Sequence, residues 1–194
     1  MKNLKCILLV LILFATISMN AQEQEQEQKR FAVKTNILHW ATLTPNLGIE
    51  AAITDNISLE VSGGYNPFEF RDGGKWKHWI VWPEARYWLD KTFNGHAIGL
   101  YGVFADFDVF GLNIPYGKLK YLDYLEFKGD LKGAGISYTY ALELEPSFLL
   151  EFNGGIGYGH FTYDVFREDG SRGGAGEKHY IVPTKLAVSA VYLF

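Results

Sequence analysis

The stretch that decides the fold is the last one, Tyr180–Phe194, YIVPTKLAVSAVYLF. From Tyr180 every second residue is apolar or aromatic with one exception: Tyr180, Val182, Thr184, Leu186, Val188, Ala190, Tyr192 and Phe194. The alternate positions include Lys185, Ala187 and Ser189. A period of two is the signature of a β-strand with two unlike faces. Working back along the chain, the pattern recurs. Phe148, Leu150, Phe152, Gly154, Ile156 and Tyr158 oppose Glu151, Asn153, Gly155 and Gly157. Ala134, Ile136, Tyr138, Tyr140 and Leu142 oppose Gly135, Ser137, Thr139, Ala141 and Glu143. Trp79, Val81, Pro83, Ala85, Tyr87 and Leu89 oppose Ile80, Trp82, Glu84, Arg86 and Trp88. Leu47, Ile49, Ala51 and Ile53 oppose Gly48, Glu50 and Ala52, and Ile57, Leu59, Val61 and Tyr65 oppose Ser58, Glu60 and Ser62. Segments 31–41 and 95–107 complete the set, the latter alternating too poorly to assign its faces.

These segments predict eight strands, at 31–41, 46–54, 57–66, 77–89, 95–107, 131–143, 147–163 and 179–194. The links around Thr54–Asn56, Asp90–Asn94 and Glu145-Pro146 are short. The links 67–76, 108–129 and 164–178 are long and rich in Gly, Asp and Lys, and the link at Thr44-Pro45 is the short member of that set. Tight turns at one end and longer loops at the other is the pattern of outer-membrane barrels, with the tight turns periplasmic. The expected fold is therefore all-β, an eight-stranded antiparallel transmembrane barrel.

The polar faces support that expectation. They carry Lys34, Glu50, Glu60, Glu84, Arg86, Glu143, Glu151 and Lys185, the expected interior polar network. Side chains fill an eight-stranded barrel, and a charge buried there needs a partner. Arg86 and Lys185 are the expected anchors.

The rest of the chain bounds the function. It has 194 residues, enough for one domain behind a leader. Aromatics make up 16% and Gly numbers 21, a pairing suited to pleated faces and bends. A net charge of −4 gives no basic footprint for nucleic acid. Residues 1–21 read as a signal peptide, with Lys2 and Lys5 before the apolar Ile7–Phe14 run and Ala21 at its end. Residues 22–30 read as a Gln/Glu-rich tether, and 31–194 as the barrel. The single cysteine, Cys6, falls in the leader, so the mature chain has no thiolate site.

The motif Thr42-Leu43-Thr44-Pro45-Asn46-Leu47-Gly48-Ile49-Glu50 is joined to Lys77-His78-Trp79, Pro83-Glu84-Ala85-Arg86-Tyr87-Trp88-Leu89 and Asn94-Gly95-His96. Together these resemble a family of small exported proteins of Bacteroidetes-type bacteria, domain of unknown function 3575, over Phe31 to Phe194. The resemblance implies an outer-membrane barrel, often encoded beside fimbrial or surface-assembly genes. It brings no activity and no functional residues. The ending Tyr192-Leu193-Phe194 also looks like the signal read by the barrel-assembly machinery, carried by Tyr192 and Phe194.

Sites of chemistry are sparse. His39, His78, His96, His160 and His179 show no recognised ligand spacing; His39, His78, His160 and His179 lie near strand ends on the expected extracellular side and read as rim residues; no metal or cofactor is expected. Ser137 and Ser189 face the expected interior, without a G-x-S-x-G motif. Gly154-Gly155-Ile156-Gly157-Tyr158-Gly159 lies inside a strand, so it reads as strand glycine and not as a phosphate cradle. Gly170, Gly173, Gly174 and Gly176, with Ser171, Arg172 and nearby Lys178, read as a solvated loop that could meet lipopolysaccharide phosphate. The apolar 108–129 link reads as strand extension with a cap, with binding of a surface-protein partner as the sharper alternative.

The expected role is structural or interactive, in contact with outer-membrane lipid and possible surface or fimbrial assembly. The alternatives are a lipid A-modifying enzyme and a soluble lipocalin-like binder.

Overall fold

A computed structural model describes residues 29–70, 73–111, 123–167 and 169–194. The segments expected as signal peptide and most of the tether lie outside them, as does 112–122 within the 108–129 link. The order is β1 (Phe31–Asn36), α1 (Ile37–Ala41), β2 (Asn46–Ala52), β3 (Ile57–Glu69), β4 (Lys75–Trp88), β5 (Gly95–Phe110), β6 (Leu125–Glu145), β7 (Phe148–Arg167) and β8 (Arg172–Leu193). Each strand pairs antiparallel with its sequence neighbour, and β1 pairs with β8, which closes the barrel. At that seam Phe31 and Phe194 exchange backbone hydrogen bonds and stack their rings 6.1 Å apart. Lys29 donates to the Pro146 carbonyl, and the Arg30 carbonyl accepts from Ala52, so the end of the expected tether is fixed to the barrel.

One end, called lower here, carries both seam residues and the turns at 53–56, 89–94 and 146–147. Thr54 shapes the first turn by accepting from the Ile57 amide, and Thr92 ties the second to it by donating to the carbonyls of Thr54 and Asp55. The upper end departs from expectation in two ways. First, β1 stops at Asn36. Its side chain accepts from the Leu38 amide and starts a single helical turn, as an N-cap does. That turn lays His39 over Trp82, ring centroids 5.5 Å apart, at the mouth of the barrel. Second, strand runs into the described parts of the expected long links, to Glu69 and from Lys75, to Phe110 and from Leu125 (the extension expected of 108–129), and through most of 164–178. β7 and β8 stay paired from Phe148↔Tyr192 up to Phe166↔Arg172, so the glycine-rich 170–176 segment is largely ladder. Arg172 is held by Asp164 at 2.5 Å.

The outward faces match the period-two reading, and β5 now has faces. Ala97, Gly99, Tyr101, Val103 and Ala105 point in, while His96, Ile98, Leu100 and Phe104 point out. Small inward residues hid the alternation. In β8 the reading fails halfway. Gly155 pairs with Lys185 but Ile156 pairs with Pro183, so Thr184 is an extra residue and the phase flips beneath it. Below the bulge Leu186, Ala190 and Tyr192 face out; above it Ile181 and Pro183 do, not Val182. Pro183 has no N–H for the ladder, which is why proline sits at bulges.

The lumen is layered. At the lower end Trp88, Phe93, Ala32, Ala97, Ala141, Leu149, Val191 and Leu193 form an apolar plug. Higher up, Trp82, Tyr101 and Val103 form a second apolar layer. The charges lie between the two.

Candidate functional site: the charged layer of the lumen

Glu50, Glu60 and Glu84 are direct cross-strand neighbours on β2, β3 and β4. Like charges set opposite one another repel. Glu151 adds a fourth carboxylate from β7, and all four are buried. The cations answer from several walls. Lys34 Nζ on β1 reaches Glu50 at 2.5 Å, Glu60 at 2.9 Å and Glu151 at 2.8 Å. Arg86 on β4 reaches Glu50 at 3.0 Å, Glu151 at 2.9 Å, Glu60 at 2.5 Å and Glu84 at 3.0 Å. Lys185 on β8 contacts Glu60 at 3.3 Å and also Glu84. Ser58 donates to Glu50 and Ser137 to Glu84, while the Trp88 indole donates to Ser58 at 2.8 Å. The layer is a set of struts across the lumen that ties β1 through β4 to β7 and β8.

Close approach explains two glycines. A Cβ at Gly99 would strike Glu84 and Ser137, and one at Gly155 would lie 2.7 Å from the Tyr101 ring. Tyr101 in turn shares a hydrogen bond with Thr184, the bulge residue. The cavity left beside Lys34, Arg86, Lys185 and His39 is ≈ 30 Å³. That is about one water's share of liquid volume, not the ~300 Å³ or more of a small-molecule pocket. Glu50, Glu60 and Glu151 converge closely enough to suggest a cation site. Lys34 and Arg86 already supply the positive charge there.

Glu143 does not join this network. It keeps the inward phase of β6 but lies past Ala141 at the lower rim, where the register shifts and the side chain is exposed. Glu143→Gln is therefore expected to change stability by less than about 0.5 kcal/mol. Glu151→Gln, which weakens charge-assisted bonds to Lys34 and Arg86, is expected to lower it by about 1.5–3 kcal/mol. Urea unfolding midpoints of the two variants check the contrast.

The other residues singled out in the sequence scatter. Ser137 and Ser189 are buried in the lumen. His96 bonds Tyr138 at 2.5 Å on the outer wall, and His78 bonds Thr44 at 3.3 Å near the upper mouth. Tyr192 faces outward and packs 5.0 Å from Phe148. At the upper rim Glu126 gathers Lys75 at 2.6 Å and Lys128 at 2.9 Å. Partial burial there opposes ionisation, but these bonds win and hold the Glu126 carboxyl at about 2. The periodicity placed the inward face; it could not show that Glu50, Glu60 and Glu84 stand in one row, because strand register is not written in the spacing.

No curated protein matches the chain. A protein-family model described as "Protein of unknown function (DUF3575)" matches residues 7–194. That match spans every described strand, so the chain belongs to the DUF3575 family.

Proposed function

We propose that this chain is an integral β-barrel of a bacterial outer membrane with a structural or partner-binding role. The observation that carries the reading is inverted polarity. Charged side chains are buried in the lumen while large apolar ones stand exposed around the outside, among them Leu47, Leu59, Leu100, Ile136, Ile156, Ile181 and Leu186. Aromatics bound this belt at both levels. Tyr87, Phe148 and Tyr192 flank it below, and Tyr65, Trp79, Phe104 and Tyr158 above. On β4 and β7 the rows frame Trp79–Tyr87 and Phe148–Tyr158, nine and eleven residues, the ~9–11 that a transmembrane strand needs. A closed barrel leaves no backbone group unpaired in hydrocarbon. The leader-like 1–21 segment supports export, and the outward Tyr192 of the Tyr192-Leu193-Phe194 motif supports delivery by the barrel-assembly machinery.

The lengths of β6, β7 and β8, at 21, 20 and 22 residues, support the partner-binding half. About ten residues suffice to cross the bilayer, so the remainder of each strand stands above it as a rigid wall. That wall, with 108–111 and 123–129 at its edge, is the surface we assign to a partner in surface or fimbrial assembly. Among the described residues, the charged struts between two apolar layers close the lower half of the lumen, which favours neither conduction nor a lipocalin-like ligand.

The test is fractionation of cells producing the protein, with gel mobility before and after boiling. Recovery with the outer membrane and a mobility shift on boiling are expected. A folded monomer that stays in aqueous solution without detergent overturns the proposal.

A further inference from the structure

Just above the apolar belt, on the outer wall, β7 sets His160 opposite His179 of β8. The two rings stack, 4.5 Å apart at their centroids with 4° between their planes. Glu177 precedes His179 by two positions and so shares its face. Its Oε1 lies 2.7 Å from His160 Nε2 and 3.4 Å from His179 Nε2. One donor atom from each of the three falls within 4.8 Å of the others. We propose that His160, His179 and Glu177 form a binding site for one divalent transition-metal cation of the zinc class.

Four features carry the assignment. Two imidazoles and a carboxylate are a donor set for zinc and its neighbours, not for calcium or magnesium. Bonds of ~2.0–2.2 Å to a tetrahedral ion place donor atoms roughly 3.3–3.5 Å apart, close to the present spacing. The backbone under the site is a continuous ladder, Gly159↔Tyr180 through Thr162↔Glu177, so the ligands stand on a rigid base. Finally, His179 Nδ1 lies 2.5 Å from the Tyr158 hydroxyl, which can accept the Nδ1 proton and leave Nε2 free for the metal. The nearest cation on the adjoining strand, Lys132, is occupied by Asp130 at 3.1 Å. Solvent reaches all three ligands, so water completes the coordination sphere.

The experiment is calorimetric titration of the tag-free protein, folded in detergent micelles, with Zn²⁺ alone. One saturable equivalent is expected. The double variant His160→Ala/His179→Ala loses it, His96→Ala keeps it, and Tyr158→Phe binds about 10-fold more weakly. Should the double variant fail to fold, the Cu²⁺ form of the unmodified protein decides the matter by electron paramagnetic resonance. Coupling to two imidazole nitrogens supports the site, and coupling to none overturns it. Absence of saturable Zn²⁺ binding by the unmodified protein, or equal binding by a folded double variant, also overturns it.

Discussion

Replacing Arg86 by Met is expected to be the most damaging single change in the lumen, lowering stability by about 3–5 kcal/mol. The guanidinium bonds four carboxylates on three other strands and its own. Without it, Lys34 and Lys185 are the cations left to Glu50, Glu60, Glu84 and Glu151 in this layer. Three of those acids stand in a cross-strand row, so repulsion rises just where the counter-charge is lost. The apolar plug below and the Trp82–Tyr101–Val103 layer above restrict the water that would screen it. Met matches the Arg stem in bulk, so the loss reports charge more than packing. Adding Glu151→Gln to Arg86→Met is expected to recover part of the loss, with a coupling of about 0.5–3 kcal/mol between the sites. Urea unfolding in lipid vesicles, followed by tryptophan fluorescence, measures both. An unchanged midpoint for Arg86→Met would show that the struts are dispensable.

How far the chain could be read without coordinates depends on which quantity the pattern encodes. A period of two encodes which face a residue takes, and so the lumen side of Glu50, Glu60, Glu84, Arg86 and Glu151 was legible. It does not encode height along the barrel axis. Glu143 has the right phase but the wrong height, at the open rim. Nor does it encode insertions: Thr184 reverses the phase of β8 with only the adjacent Pro183 as a signal. Glycine misled in the other direction. Gly173, Gly174 and Gly176 suggested a loop, yet Gly174 and Gly176 continue the ladder opposite Val165 and Tyr163, and the Tyr163 ring fills the place a Cβ at Gly176 would take. His160 and His179 were read as unrelated rim residues because ligand spacing was sought along the chain. Their proximity is a cross-strand fact, set by the β7–β8 register.

Leu100→Arg separates a lipid-facing wall from a wet one. Leu100 is 66% exposed, and its cross-strand neighbours Ala85 and Ile136 also face outward. It sits near mid-height, four positions below Phe104 of the upper row and five above Gly95, where β5 starts at the lower end. On a water-facing surface such a change falls within about 0.5 kcal/mol of neutral. At the bilayer midplane a lipid-facing Arg costs about 2–4 kcal/mol, and near the interfaces only about 0–1. The expected result in vesicles is therefore a large loss for Leu100→Arg and a small one for Phe148→Arg at the lower row. In short-chain detergent the difference should shrink, because a micelle deforms around a charge more easily than a bilayer does. The gradient with height carries more weight than either value alone, since a packing defect would not follow depth. If Leu100→Arg in vesicles proves as benign as Phe148→Arg, the outward belt does not lie in hydrocarbon.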